Sequence, residues 1–239
     1  MAYDALVVAA HPDDAETQMG GTIAKLVSKG QRILLVDLSD GEPTEFAERG
    51  VRARQAAEAA RILGVDRVSL GLQDRLVLDT PVVRLEVARL IRDHRPRTVY
   101  GTGEACVHPD HAAAASIVRA AVFLSRLDKW DEVPGGKHLA DQEAWKVSRL
   151  FFPHCKMEPA WSEFAFAVDV SEVYDRKCQA LAAYESIFDT KGGDRLLALY
   201  EAEDQYFGRL LGVRYAEIFR SHSPLLVEDP TVFLPGIHG

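Results

Sequence analysis

A mostly parallel α/β sheet flanked by helices, its central strands ordered 3-2-1-4 with further strands beyond, is predicted by three observations. The first half of the chain alternates short apolar runs with amphipathic stretches of helical periodicity. Residues 2–10 are apolar almost without interruption, as in a strand buried on both faces. Helix-stop residues, Gly30, Gly64 and Pro96, stand just past the periodic stretches.

Residues 2–10 form the first strand. In HPDDAETQMGGTIAKLVSKG, the residues Ile23, Leu26 and Val27 fall at helical spacing, and Gly30 closes the helix. Residues 33–38 give a second strand, followed by the polar turn Ser39-Asp40-Gly41-Glu42. Residues 51–63 form an Ala/Arg/Glu-rich helix ended by Gly64, and 68–72 a third strand. Residues 81–94 place Val83, Val87, Leu90 and Ile91 on one helical face. Residues 98–100 form the fourth strand and 112–127 an Ala-rich helix. Right-handed crossovers then give the order 3-2-1-4 of a Rossmann-like sheet. Strands 1 and 4 adjoin at the switch point, where such sheets hold their ligands beyond the carboxyl ends. Downstream, 129–145 reads as a long loop, and 149–153 and 164–170 as strands. Residues 171–186 read as a helix with Ser171 as N-cap, 189–194 as a loop, and 196–219 as a final helical stretch interrupted at Gly208 or Gly212. With no internal repeat or linker, residues 1–239 are expected to form one domain.

Composition narrows the function. The chain has 239 residues, 47% of them hydrophobic, enough to bury a full core. Its three cysteines, Cys106, Cys155 and Cys178, are too few for a disulfide scaffold and include no C-x-x-C pair. A net charge of −8 disfavours nucleic acid as a partner. No apolar run approaches the ~18 residues of a membrane span. The opening residues carry Asp4 and no basic stretch, so a signal peptide is not expected and a cytoplasmic location is.

Two strings carry the chemistry: His11-Pro12-Asp13-Asp14 after strand 1, and His108-Pro109-Asp110-His111 after strand 4. Catalytic zinc takes three protein ligands and keeps one position open. His11 and Asp14 supply two, and either His108 or His111 the third; non-haem Fe²⁺ favours the same donors. Asp13 is then left beside the ligands, placed to take a proton from water. The spare histidine, if charged, would stabilise an oxyanion or protonate a leaving amine, with Asp110 holding its ring. Taken singly, Asp13 and Asp14 would be helix-capping acids, and a lone histidine a loop residue. Their convergence at adjacent strand ends sets them apart. The other histidines, His94, His138, His154, His222 and His238, are expected at the surface or in packing. A competing reading is a non-enzymatic nucleotide-binding module. It has only Asp37 or Asp40 as a ribose-binding acid, with no G-x-G-x-x-G in the first turn and no P-loop.

The strings AHPDDAE and HPDH, with MGGTIAKLVSKG, VRARQAAEAARILGV, AAYESIF and GVRYAEIF, resemble the PIG-L/LmbE family of metal-dependent N-acetylglucosamine deacetylases over nearly the whole chain. The subgroup most similar is the bacillithiol-pathway N-acetylglucosaminyl-malate deacetylases. The resemblance implies zinc, or Fe²⁺, on His11, Asp14 and His111. It implies Asp13 as general base, His108 as the charged partner of the oxyanion, and Asp110 orienting His108. Arg52 matches a family arginine that holds a polar or anionic part of the substrate. Some relatives add a tyrosine hydroxyl, for which Tyr200 is the nearest candidate. The implied reaction is hydrolysis of the acetamide of an N-acetylglucosaminyl conjugate to free amine and acetate. The partner is thus a small amino-sugar conjugate, with neither nucleic acid nor membrane, and the assembly a homo-oligomer, trimer or hexamer. The alternative within the family is another amino sugar or a thiol conjugate.

Overall fold

The structure is a computed structural model that describes residues 2–43, 47–103, 106–133, 137–156, 164–190 and 192–226. Its seven-stranded sheet is built from β1 (Ala5–Ala9), β2 (Ile33–Ser39), β3 (Asp66–Leu72), β4 (Thr98–Gly101), β5 (Arg149–Pro153), β6 (Phe166–Asp169) and β7 (Ala216–Ser221). The strand order is β3-β2-β1-β4-β5-β7-β6, which contains the expected 3-2-1-4. Pairing is parallel from β3 through β5, while β7 runs antiparallel to both β5 and β6.

Strand β1 is central because both of its faces are buried. Its alternation sends Leu6, Val8 and Ala10 into one core, with residues of α3 (Pro81–His94) and α4 (Pro109–Leu124). Ala5, Val7 and Ala9 enter the other, with α1 (Asp14–Ser28), α2 (Val51–Leu63) and α6 (Tyr174–Ala182). This two-faced burial explains the unbroken apolar run seen in the sequence. Helix starts and stops follow local chemistry. The Thr80 hydroxyl accepts from the Val83 N–H at 3.4 Å before Pro81 opens α3, and Gly64 ends α2 in the left-handed region.

Helix α1 is not continuous: Met19 leaves helical geometry (φ −148°, ψ 24°). The kink frees the N–H groups of Gly21 and Thr22, which donate to the Glu217 carboxylate of β7 at 3.0 and 2.7 Å. Gly21 is required because a Cβ there would meet Val170 at 2.8 Å. Glu217 in turn accepts from Lys177 Nζ of α6 at 2.7 Å. Lys177 also donates to Asp204 of α8 (Gly193–Leu210) at 2.7 Å, and Lys156 and the Tyr174 hydroxyl donate to Asp204 as well.

The second half departs from the sequence expectation. Residues 196–219 are not one helix: α8 ends at Leu210, Gly212 turns the chain at φ +76°, and β7 follows. β7 is short, and its sheet partners rather than its own periodicity define it. The expected loop 129–145 contains a 3₁₀ turn at Trp130–Glu132 and a short helix, α5 (Lys137–Ala140). Ser171 does not cap α6; its hydroxyl and N–H donate to Asp169, and the helix begins at Tyr174. The chain breaks again near Tyr184 before α7 (Glu185–Phe188). His238 and the His138 side chain lie outside the described residues. No described helix is long and apolar enough to cross a membrane.

Candidate metal centre

The two His–Asp strings leave β1 and β4, parallel neighbours whose carboxyl ends open at the same edge. After β1 the chain makes a tight turn into α1. His11 N–H donates to Asp14 Oδ2 at 2.9 Å, and Thr17 donates to the Asp13 carbonyl through both N–H and hydroxyl at 2.8 Å. Asp13 sits at φ 102°, ψ −24°, a backbone strain that persists only where the surroundings over-determine it. Arg52 of α2 supplies part of that constraint. Its Nε and Nη2 donate to the Pro12 carbonyl at 3.1 and 2.7 Å, and Nη2 to Asp13 Oδ1 at 3.0 Å. After β4, Gly103 adopts φ +80° and its N–H donates to Gln18 of α1 at 3.2 Å. A Cβ on Gly103 would come within 2.4 Å of His111 Cβ, so the loop packs against the first turn of α4 as closely as glycine allows.

The donor atoms of three residues converge, each imidazole meeting one oxygen of Asp14. His11 Nδ1 and His111 Nε2 are 3.2 Å apart, His111 Nε2 is 3.1 Å from Asp14 Oδ1, and His11 Nδ1 is 3.4 Å from Asp14 Oδ2. A tetrahedral cation with bonds of about 2.0–2.1 Å needs donors roughly 3.3 Å apart. The triangle fits a metal ion of that size, and the donor chemistry fits zinc or Fe²⁺. The outer nitrogens are also engaged. His11 Nε2 meets Asp74 Oδ1 at 3.0 Å and Asp110 Oδ2 at 3.1 Å, and His111 Nδ1 meets Cys106 Sγ at 3.1 Å. Carboxylates behind a ligating imidazole fix its tautomer and raise its basicity.

The electrostatics describe a cation trap. Burial alone would push His11 down, but Asp14, Asp74 and Asp110 raise it to about 11. His111 is raised to about 10, Asp14 and Cys106 outweighing its own burial. Asp14 is pushed up by burial, yet the two imidazoles hold it far below the usual carboxylate range. A site that retains protons this firmly offers the same well to a divalent cation. Asp13 differs: burial pushes it up, to about 6, against the opposing charge of Arg52.

The structure brings His11, Asp13, Asp14, His108, Asp110, His111 and Arg52 into one neighbourhood, with two changes of expected role. The Asp110 carboxylate meets His11, whereas His108 is held by the Asp110 backbone N–H, which donates to His108 Nδ1 at 3.2 Å. The cause is helical geometry: His108 is the N-cap of α4 and bonds an amide of its first turn. The second change concerns His108, whose Nδ1 accepts a backbone hydrogen bond and so carries no proton. Burial first, then the neighbouring His111 and His11, hold it below the ordinary imidazole range. With Nδ1 an acceptor, the neutral ring carries its proton on Nε2. The guanidinium of Arg52 is engaged with the Pro12–Asp13 turn. Tyr200 of α8 is close enough that, after burial, the carboxylates of Asp13 and Asp14 push its hydroxyl pKa up.

Asp74, Cys106 and Cys155 escaped the sequence reading. Each is a single residue on a loop with no spacing pattern; only the place of those loops after β3, β4 and β5 could have marked them. Behind the site, Glu16 accepts from Arg67 at 2.5 Å and from the Tyr184 hydroxyl at 2.9 Å, and Arg67 also grips Asp37. Asp37 is thereby committed to an ion pair beneath the site.

The sequence model of the PIG-L family, described as GlcNAc-PI de-N-acetylase, matches residues 6–122. The chain is 28% identical to the diacetylchitobiose deacetylase of Thermococcus kodakarensis, over 97% of this chain and 83% of that protein. Among solved structures it resembles the conserved protein TT1542 of Thermus thermophilus, with TM-score 0.82 and 38% identity, over 94% of this chain and 97% of that one. It also shares its fold with GalB, the 4-carboxy-2-hydroxymuconate hydratase of Pseudomonas putida KT2440, with TM-score 0.76 and 21% identity, over 94% and 98% of the two chains. One fold thus carries unlike chemistries, and the site must decide between them.

Proposed function

The chain belongs to the PIG-L family, and from that premise we propose that it is a zinc-dependent N-deacetylase. It hydrolyses the acetamide of an N-acetylglucosaminyl conjugate, N-acetylglucosaminyl-malate foremost, to acetate and the free amine. The observation that carries this reading is the triangle of His11 Nδ1, Asp14 and His111 Nε2, at tetrahedral spacing, with the Asp13 carboxylate on the adjoining residue. When bound there, zinc would polarise the acyl oxygen and ease the ionisation of water.

The remaining steps belong to the chain. Asp13 takes the proton of the attacking water; its raised pKa keeps it basic enough to accept and acidic enough to return it. Arg52 acts through Asp13, holding the strained turn and the carboxylate in place. His108, with its proton on Nε2, donates to the oxygen that gains charge as the acyl carbon becomes tetrahedral. A neutral imidazole can serve as such an electrophile without ionising. Asp13 then passes its proton to the departing nitrogen. Asp74 and Asp110 keep Nδ1 of His11 turned to the cation by engaging Nε2. The likeness to a diacetylchitobiose deacetylase favours a second reading, with a neutral N-acetylglucosamine disaccharide in place of the malate conjugate.

Acetate release from the malate conjugate, from diacetylchitobiose and from an N-acetylglucosaminyl-inositol tests both. The expected result is metal-dependent acetate release with the highest kcat/KM on the malate conjugate. Preference for diacetylchitobiose would overturn the malate assignment, and no acetate from any of the three would overturn the deacetylase reading.

A further inference from the structure

Two thiols stand behind His111, on the side of the ring away from Asp14. Cys106 lies on the loop after β4 and Cys155 on the loop after β5, parallel neighbours whose loops leave the same edge of the sheet. Cys106 Sγ is 3.1 Å from His111 Nδ1 and Cys155 Sγ is 4.0 Å from the same nitrogen. The two sulfurs and the ring nitrogen all lie within 4.8 Å of one another. Cys106 is partly exposed, whereas Cys155 is only 6% exposed. This is the arrangement of an attacking cysteine with a resolving cysteine behind it. Nothing in the hydrolytic steps above uses either sulfur.

We propose that Cys106 and Cys155 form a reversible disulfide pair whose state sets how firmly His111 holds its cation. The coupling presupposes the metal centre proposed above; the pairing itself does not. The oxidant is a low-molecular-weight disulfide. The Cys106 thiolate attacks one of its sulfurs, forming a mixed disulfide and expelling one thiolate. The Cys155 thiolate then attacks the Cys106 sulfur, closing the internal bond and expelling the second thiolate. The two protons given up by the cysteines end on the two released thiols. The protein sulfurs lose two electrons and the small disulfide gains them.

The consequence reaches the metal through one hydrogen bond. In the reduced pair, the Cys106 sulfur faces Nδ1–H of His111, which fixes the ring with the Nε2 lone pair toward Asp14. Closing the bond draws the sulfurs to about 2.05 Å and turns the Cys106 sulfur from His111 Nδ1 toward Cys155. His111 then loses the partner that orients it. Loss of such an outer-shell contact typically costs 10–100-fold in metal affinity.

The test uses the full-length protein, reduced or treated with oxidised glutathione. Non-reducing peptide mapping by mass spectrometry locates the bonds, and competition with a zinc chelator gives the affinity. Expected are a Cys106–Cys155 cross-link, zinc affinity about 10–100-fold lower in the oxidised protein, and recovery on adding dithiothreitol. The Cys155→Ser variant should stop at a glutathione adduct on Cys106. Modification of Cys178 with no Cys106–Cys155 cross-link overturns the proposal. So does a cross-linked protein whose zinc affinity is unchanged. A reduced protein that binds no zinc defeats the metal centre itself, and the peptide map alone then decides the pairing.

Discussion

Asp13 concentrates the residue-scale argument. It is the one non-glycine in the first turn held at positive φ, and Arg52 and Thr17 together fix that geometry. Asn keeps the shape and the Arg52 contact but cannot take a proton from water. Asp13→Asn is therefore expected to lower kcat by about 10²–10⁴-fold while zinc content stays at the wild-type level. Elemental analysis beside steady-state kinetics checks both halves, and a variant with near-normal kcat would remove Asp13 from the base role. The site was legible to this depth because HPDD and HPDH pack several donors into four residues each, at the ends of strands whose adjacency follows from topology. Asp110 shows where legibility ended. Its place in the motif could be read, but a first helical turn turns its amide toward His108 and its carboxylate toward His11. Asp74 was invisible for a similar reason: it reaches His11 from 63 positions away in sequence, across the sheet edge.

At the scale of elements, the loops after the strands hold the donors only as well as the strands and helices hold the loops. Gly103 is the tightest such joint. Alanine there must tolerate φ +80° and place a Cβ 2.4 Å from His111 Cβ, so the first turn of α4 has to move. Gly103→Ala should weaken zinc binding by at least tenfold while far-UV circular dichroism stays near wild type; chelator competition measures it, and unchanged affinity would mean the turn is not a determinant of the site. A second joint lies between β5 and α8, where His154 is buried between Phe164 and Phe207. Burial, then Lys156, depresses His154 to about 4, so the fold favours the neutral ring. The unfolded chain binds a proton near pH 6.5 and the folded chain does not until about 4. Stability from this group is thus present above pH 6.5 and is lost as pH falls from there toward 4. Relative to His154→Gln, the wild type should lose about 2 kcal/mol more between pH 7 and pH 5 by urea unfolding. Equal losses would contradict the burial of a neutral ring. The strands of the first half were readable from their own apolar runs, whereas β7 was not. Ala216, Glu217, Ile218 and Phe219 are all buried, and a buried glutamate in the middle of a short run hides the strand until its partner is seen.

That glutamate belongs to the scale of the whole molecule, because it joins the two halves of the chain. Glu217 of β7 caps the free amides at the kink of α1, the helix that begins with Asp14, and Lys177 ties Glu217 to Asp204 of α8. Lys177, Asp204 and Glu217 are at most 1% exposed, so each charge depends on the others for its solvation. Burial pushes Lys177 down, but the two carboxylates more than restore it and raise it above its usual range. Replacing the lysine leaves two carboxylates in an apolar interior with Lys156 as the nearest counter-charge. Lys177→Met is expected to cost about 3–5 kcal/mol, lowering Tm by about 10 °C in a chain of this length. The network also predicts how a second change combines with the first. Glu217→Gln removes one of the stranded charges, and its single oxygen still accepts from one of the two amides, Gly21 and Thr22, that the carboxylate oxygens serve separately. In the double variant it should therefore recover part of the loss, with a coupling energy of about 1–3 kcal/mol in a double-mutant cycle. Strict additivity would show that Lys177 and Glu217 stabilise the fold independently. The kink of α1 would then be held by Glu217 itself, without help from Lys177 and Asp204.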